Sequence, residues 1–75
     1  MASVKKIVDK MKQQPNGISM NEADRVLNHH GYLFIMQRGS HRLYRNSSGD
    51  KISIPRRTPT ILSCYVNEII NRLGL

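Results

Sequence analysis

Val4, Ile7, Val8 and Met11 fall at i, i+3, i+4 and i+7, with Lys5, Lys6, Asp9, Lys10 and Lys12 between them. That spacing predicts one apolar face on a short amphipathic helix, ended by the turn residues Pro15, Asn16 and Gly17. A stripe of about ten residues with modest apolar bulk suits core packing better than a membrane surface. Ser19-Met20-Asn21-Glu22 has the pattern of a capping box, and Met20, Ala23, Val26, Leu27 and His30 follow at helical spacing. Gly31 is a natural stop, so a second helix is expected over roughly 19–30. His29 and His30 then sit at its carboxyl end, where an imidazolium complements the helix dipole.

From Tyr32 the period changes. YLFIMQ (32–37) is apolar and aromatic and reads as a buried strand. Gly39 and Ser40 break it, and His41–Arg45 reads as a second strand. Asn46-Ser47-Ser48-Gly49-Asp50 is turn chemistry leading to a third strand, KISI (51–54), which Pro55 closes. Tyr65, Val66, Ile69, Ile70 and Leu73 form the stripe of a last helix. It starts between Thr58 and Ser63, either of which can cap it, and ends at Gly74. The expected fold class is α+β, in the order α-α-β-β-β-α, with a three-stranded antiparallel meander and its helices on one face. The 75 residues fit one domain, 1–75, with no internal repeat.

Composition narrows the class of partner. The net charge is +7, and residues 38–57 carry five of those seven charges. Arg38, Arg42, Arg45, Lys51, Arg56 and Arg57 are opposed there only by Asp50. Such a balance calls for a polyanion: nucleic acid, an acidic protein or an anionic membrane. No apolar run reaches the ~18 residues of a membrane span. The opening MASVKKIVDK has charges where an export signal has its apolar stretch. The single cysteine, Cys64, allows no internal disulfide and is expected as a small buried residue. Together these points lead to an expected cytoplasmic location.

The candidate chemistry lies in RGSHRLYR (38–45), where one imidazole, His41, follows two small residues and is flanked by Arg38, Arg42 and Arg45. On its own, a histidine in a basic strand reads as a phosphate contact or a structural residue. Tyr44 alternates away from it and can either stack on a base or pack on the sheet. No His or Cys pair has metal-ligand spacing with supporting ligands, and Asp9, Glu22, Asp24, Asp50 and Glu68 are scattered. No metal site or cofactor is expected, and two-metal nuclease chemistry is disfavoured.

The string HGYLFIMQRGSHRLYRNSSGDKISIP, followed by the helix CYVNEIINRL, resembles the HicA toxins of toxin–antitoxin systems. The resemblance covers about three quarters of the chain, 19–73, and leaves 1–14 as an extra amino-terminal helix. It implies a fold like a double-stranded-RNA-binding domain, α-β-β-β-α. It also implies an endoribonuclease that cuts mRNA, with His41 as the catalytic residue and a HicB-like antitoxin as the inhibiting partner. Several members have a second histidine shortly after Ile-Pro; this chain has Arg56 and Arg57 there.

Under that resemblance RNA supplies its own nucleophile, the 2′-hydroxyl, and a histidine can act as base or acid near neutral pH. Arginine forks match phosphate oxygens. Arg38, Arg42, Tyr44, Arg45, Lys51, Arg56 and Arg57 are the expected RNA contacts, with Gly39 and Ser40 leaving room for a phosphate. Two readings compete with catalysis: a non-catalytic RNA-binding module, and an interaction protein whose basic face docks an acidic partner.

Overall fold

The elements run α1 (Val4–Gln13), a 3-10 turn (Pro15–Gly17), α2 (Met20–His29), β1 (Leu33–Arg38), β2 (His41–Arg45), β3 (Lys51–Pro55) and α3 (Ser63–Leu73) in a computed structural model. It describes residues 3–75, so the first two positions of the expected 1–14 segment lie outside the described residues. The chain forms a small α+β fold with three α-helices and an open three-stranded antiparallel sheet in the order β1-β2-β3.

The helix starts have identifiable causes. The Ser3 hydroxyl accepts the Lys6 amide at 3.3 Å and caps α1. At α2 the capping box is complete: Glu22 N–H donates to Ser19 Oγ (3.2 Å) and Ser19 N–H donates to Glu22 Oε1 (3.0 Å). Lys10 reaches the same carboxylate at 3.0 Å, tying α1 to α2. Burial pushes the Glu22 carboxyl up, but the Ser19 amide and Lys10 outweigh it and hold it below its ordinary value. The last helix begins inside the expected window, yet neither Thr58 nor Ser63 caps it. Its N-cap is Leu62, without a side-chain bond, and Gly74 closes it in the left-handed conformation.

The core is one cluster. Ile7 and Met11 of α1, Ala23, Val26 and Leu27 of α2, and Val66 and Ile69 of α3 meet Tyr44, Ile52 and Ile54 of the sheet. The amino-terminal helix is therefore part of this core. In β3 the alternation of Ile52 and Ile54 with Lys51 and Ser53 puts the isoleucines under the helices and the polar pair outside.

Two sequence expectations are corrected here. The segment 32–37 is not a buried strand. Tyr32, just before β1, is buried, but every residue of β1 is exposed, with Leu33 at 60% and Phe34, Ile35 and Met36 at 43–44%. β1 is one of the sheet's two edges, and the buried sheet residues all lie on β2 and on the other edge strand, β3. Cys64 is exposed on the first turn of α3, because Val66 and Ile69 take the buried stripe. Among the described residues no helix is long and apolar enough to cross a membrane.

Candidate nucleic-acid interface

The β1–β2 hairpin sets the geometry around His41. Its loop is two residues, Gly39 and Ser40, and Arg38 lies directly across from His41. Gly39 has φ of 61° while Ser40 stays out of the left-handed region, the pattern of a II′ hairpin turn with glycine at its first central position. A side chain at 39 would meet no neighbouring atom, so the backbone angle, not lack of room, is what demands glycine. Gly39 thus fixes the register that puts Arg38 beside the imidazole. The Ser40 carbonyl accepts the Arg56 amide at 2.5 Å and joins this turn to the end of β3.

Cross-strand pairing then sorts the side chains into two faces. His41 pairs with Arg38 and Pro55, Leu43 with Met36 and Ser53, and Arg45 with Leu33 and Lys51. This is the face away from the helices. Met36, Arg38, His41, Leu43, Lys51 and Ser53 line a shallow depression of about 550 Å³ on it. Arg45 lies about 13 Å along β2 from His41, at about 3.3 Å per residue. None of the three strands contains a carboxylate. Among the described residues Arg38, Arg45 and Lys51 enter no ion pair.

His41 is exposed, and its Nδ1 lies 3.4 Å from Ser53 Oγ. When Nδ1 donates its proton to Ser53, Nε2 keeps the lone pair that a base needs. Ser53, Met36 and Leu43 were not legible as site residues. Ser53 reads as the polar position of an alternating strand, and only the pairing of β2 with β3 brings it diagonally next to His41.

The opposite face corrects two further expectations. Tyr44 is fully buried and presents no ring for a base. Its hydroxyl donates to Asp24 Oδ1 at 2.6 Å and accepts from Arg42 Nε at 3.1 Å. Burial, reinforced by the Asp24 carboxylate, pushes its pKa far above the ordinary tyrosine value. Arg42 is not beside His41 either, since consecutive strand residues point to opposite faces. Its guanidinium pairs with Asp24 at 3.5 Å and lies 4.4 Å over the Phe34 ring.

Arg42 also lines a smaller recess of about 170 Å³ with Arg56, Arg57, Ser19, Met20, Asn21, Thr58 and Pro59. The basic stretch 38–57 is therefore not one patch. Arg38, Arg45 and Lys51 share a face with His41, while Arg42, Arg56 and Arg57 border a separate recess beside the start of α2.

Four of the acidic residues have partners on the helix side or in the turn. Besides Glu22 and Asp24, Asp50 accepts from the Tyr32 hydroxyl (3.3 Å), and Glu68 pairs with Arg72 (3.8 Å). Among the described residues no three His, Cys, Asp or Glu side chains converge as metal ligands. Comparison of the chain with protein-family models, with curated proteins and with solved structures finds no match.

Proposed function

We propose that this chain is a metal-independent endoribonuclease of the HicA type, a toxin that cuts mRNA in the cytoplasm, built on a fold like a double-stranded-RNA-binding domain. The observation that carries the reading is the setting of His41. It is an exposed imidazole on an open strand face, with Arg38 across from it, Lys51 in the same depression, and no carboxylate on any strand.

In the proposed reaction the RNA backbone crosses this face, Arg38 holds the scissile phosphate and Lys51, level with Arg45, holds a neighbouring one. His41 Nε2 takes the proton of the 2′-hydroxyl, and the 2′-oxygen attacks phosphorus. The bond from phosphorus to the 5′-oxygen breaks, and that oxygen leaves with a proton from solvent. The products are a 2′,3′-cyclic phosphate and a 5′-hydroxyl. Arg38 stabilises the charge that builds on the non-bridging oxygens. With one imidazole and no second acid on this face, the proton-transfer contribution is about 10²–10⁴-fold, that of a slow enzyme.

The same scarcity favours the second reading, a non-catalytic RNA-binding module. Incubation of the purified chain with RNA in EDTA separates the two. Cleavage that persists in EDTA, leaves cyclic or 3′-phosphate ends and stops at a substrate carrying 2′-deoxyribose at the cut site supports the enzyme. RNA that is bound but intact supports the module. Activity that EDTA abolishes and Mg²⁺ restores refutes the metal-independent route.

A nuclease that cuts its host's messages needs restraint, and the reading includes a HicB-like antitoxin whose acidic surface is drawn to this face. By covering His41 it would exclude RNA without a change of fold.

A further inference from the structure

We propose that the free edge of β1 receives an extended, acidic segment of a protein partner as a fourth strand of the sheet. In the reading above that segment belongs to the inhibiting partner, and this is the one point at which the proposal rests on that reading. The docking itself does not require His41 to cut RNA.

The two edges of the sheet differ in kind. The β3 edge is closed to further pairing. Pro55 ends it without an amide donor, Lys51 puts a charge on it, and Arg72 Nη1 already donates to the Lys51 carbonyl at 3.2 Å. The β1 edge has none of these devices along Leu33-Phe34-Ile35-Met36-Gln37, and among the described residues no strand pairs with its outer side. Four consecutive large apolar side chains stand 43–60% exposed there, in a chain otherwise able to bury fourteen hydrophobic residues. The register shift between Phe34 and Met36 leaves Ile35 without a cross-strand partner on β2, so packing within the sheet does not account for it. A long apolar edge of this kind is a template for strand addition.

The occupant follows from what surrounds the edge. Leu33, Met36 and Arg38 continue into the face that holds Leu43, Arg45 and Lys51, where the cations have no carboxylate partner. A segment alternating acidic and apolar residues meets both demands. Its backbone pairs with β1, its apolar side chains lie beside Phe34 on the helix side, and its carboxylates lie beside Leu33 and Met36 on the other face, toward Arg38 and Arg45. Two copies of a chain with net charge +7 repel each other, which disfavours a second copy. RNA offers no amide ladder for the edge and gains little from aliphatic side chains.

The test uses an eight-residue synthetic peptide of alternating valine and glutamate, titrated into the full chain and followed by amide chemical shifts and hydrogen exchange. Amides of 33–38 are expected to shift and gain protection. The same peptide N-methylated on alternate residues, which cannot pair, is expected to bind at least tenfold more weakly, and a valine–lysine peptide not to bind. Ile35→Lys is expected to weaken binding at least tenfold while the thermal unfolding midpoint stays within a few degrees; Leu33→Lys, at a side chain 60% exposed and outside the His41 depression, serves as the second variant.

Three outcomes overturn the proposal. Equal binding of the N-methylated peptide reduces the contact to charge attraction. A doubled mass of the free chain that Ile35→Lys abolishes makes the occupant a second copy. Protection of the β1 amides by a short RNA but not by the peptide assigns the edge to nucleic acid. RNA cleavage measured in parallel on Ile35→Lys keeps the two readings apart, since loss of peptide binding with cleavage intact touches only the docking edge.

Discussion

The depression around His41 and the recess beside α2 are both rich in basic residues drawn from one stretch of chain, yet they are built differently. Around His41 the cations enter no ion pair among the described residues, the floor is apolar (Met36 and Leu43), and an imidazole stands among them. In the recess Arg42 is committed to Asp24, Tyr44 and the Phe34 ring, and of its three arginines only Arg56 and Arg57 are exposed. The comparison teaches that charge along a sequence does not measure charge available to a ligand. Alternation on β2 sends His41 and Arg42 to opposite sides, and burial turns one arginine into scaffold while leaving its neighbours as binding groups.

The sharpest way to break the comparison is His41→Ala. It is expected to lower RNA cleavage at least about 100-fold while RNA affinity, measured by fluorescence anisotropy, changes no more than a few-fold. Wild-type cleavage by the variant would remove the functional distinction between the two regions.

Next in size is Asp24→Ala, which strips the buried Tyr44 hydroxyl and Arg42 of their shared acceptor. An unsatisfied buried donor costs about 1–3 kcal/mol, and at about 4–8 °C per kcal/mol in a domain this small the unfolding midpoint should fall by roughly 10 °C. Cleavage at a temperature where the variant is folded should stay within about twofold. A larger loss would mean that Asp24 or Arg42 takes part in the reaction and is not only scaffold.

Arg38→Gln and Arg57→Gln compare the two regions directly. Loss of a charge-assisted phosphate bond at Arg38 is expected to weaken RNA binding about tenfold and to lower the salt-dependence slope by about 0.7. Arg57→Gln is expected to change affinity by less than about threefold. Equal effects would mean that RNA spans both regions.

The smallest expected effect concerns the scaffold of the recess. Glu22 caps α2 and is held below its ordinary pKa, whose reference value is 4.5. Its folded value is depressed, so the stability it contributes is present above about 4.5 and is lost as pH falls through that value toward the folded one. Urea midpoints should therefore decline more steeply below pH 4.5 in the wild type than in Glu22→Gln. A matching decline in both would place the acid sensitivity elsewhere.

What could be read in advance differs between elements for physical reasons. The helices were legible because caps and apolar stripes are local: Ser19 and Glu22 meet three residues apart, and Ile7 and Met11 recur on one face. The strand Lys51–Pro55 was legible for the same reason, since its isoleucines alternate with polar residues. His41 was legible as a candidate from the hairpin break at Gly39-Ser40.

The faces of β1 and β2 were not. HRLYR carries polar residues at 41, 42 and 45 and apolar ones at 43 and 44, a pattern that fits neither face cleanly. LFIM is apolar throughout and reads as buried in the absence of other information. A strand's side chains take sides only when a neighbour and a covering layer are in place. The sequence by itself determined the order of elements, the basic stretch and the hairpin that holds His41. Tertiary structure decided that Tyr44 is core, that Arg42 is tied to Asp24, that Ser53 sits beside His41 and that β1 lies open at the edge. Each of those outcomes depends on which strand is central and which face the helices cover, and contacts between distant residues settle both.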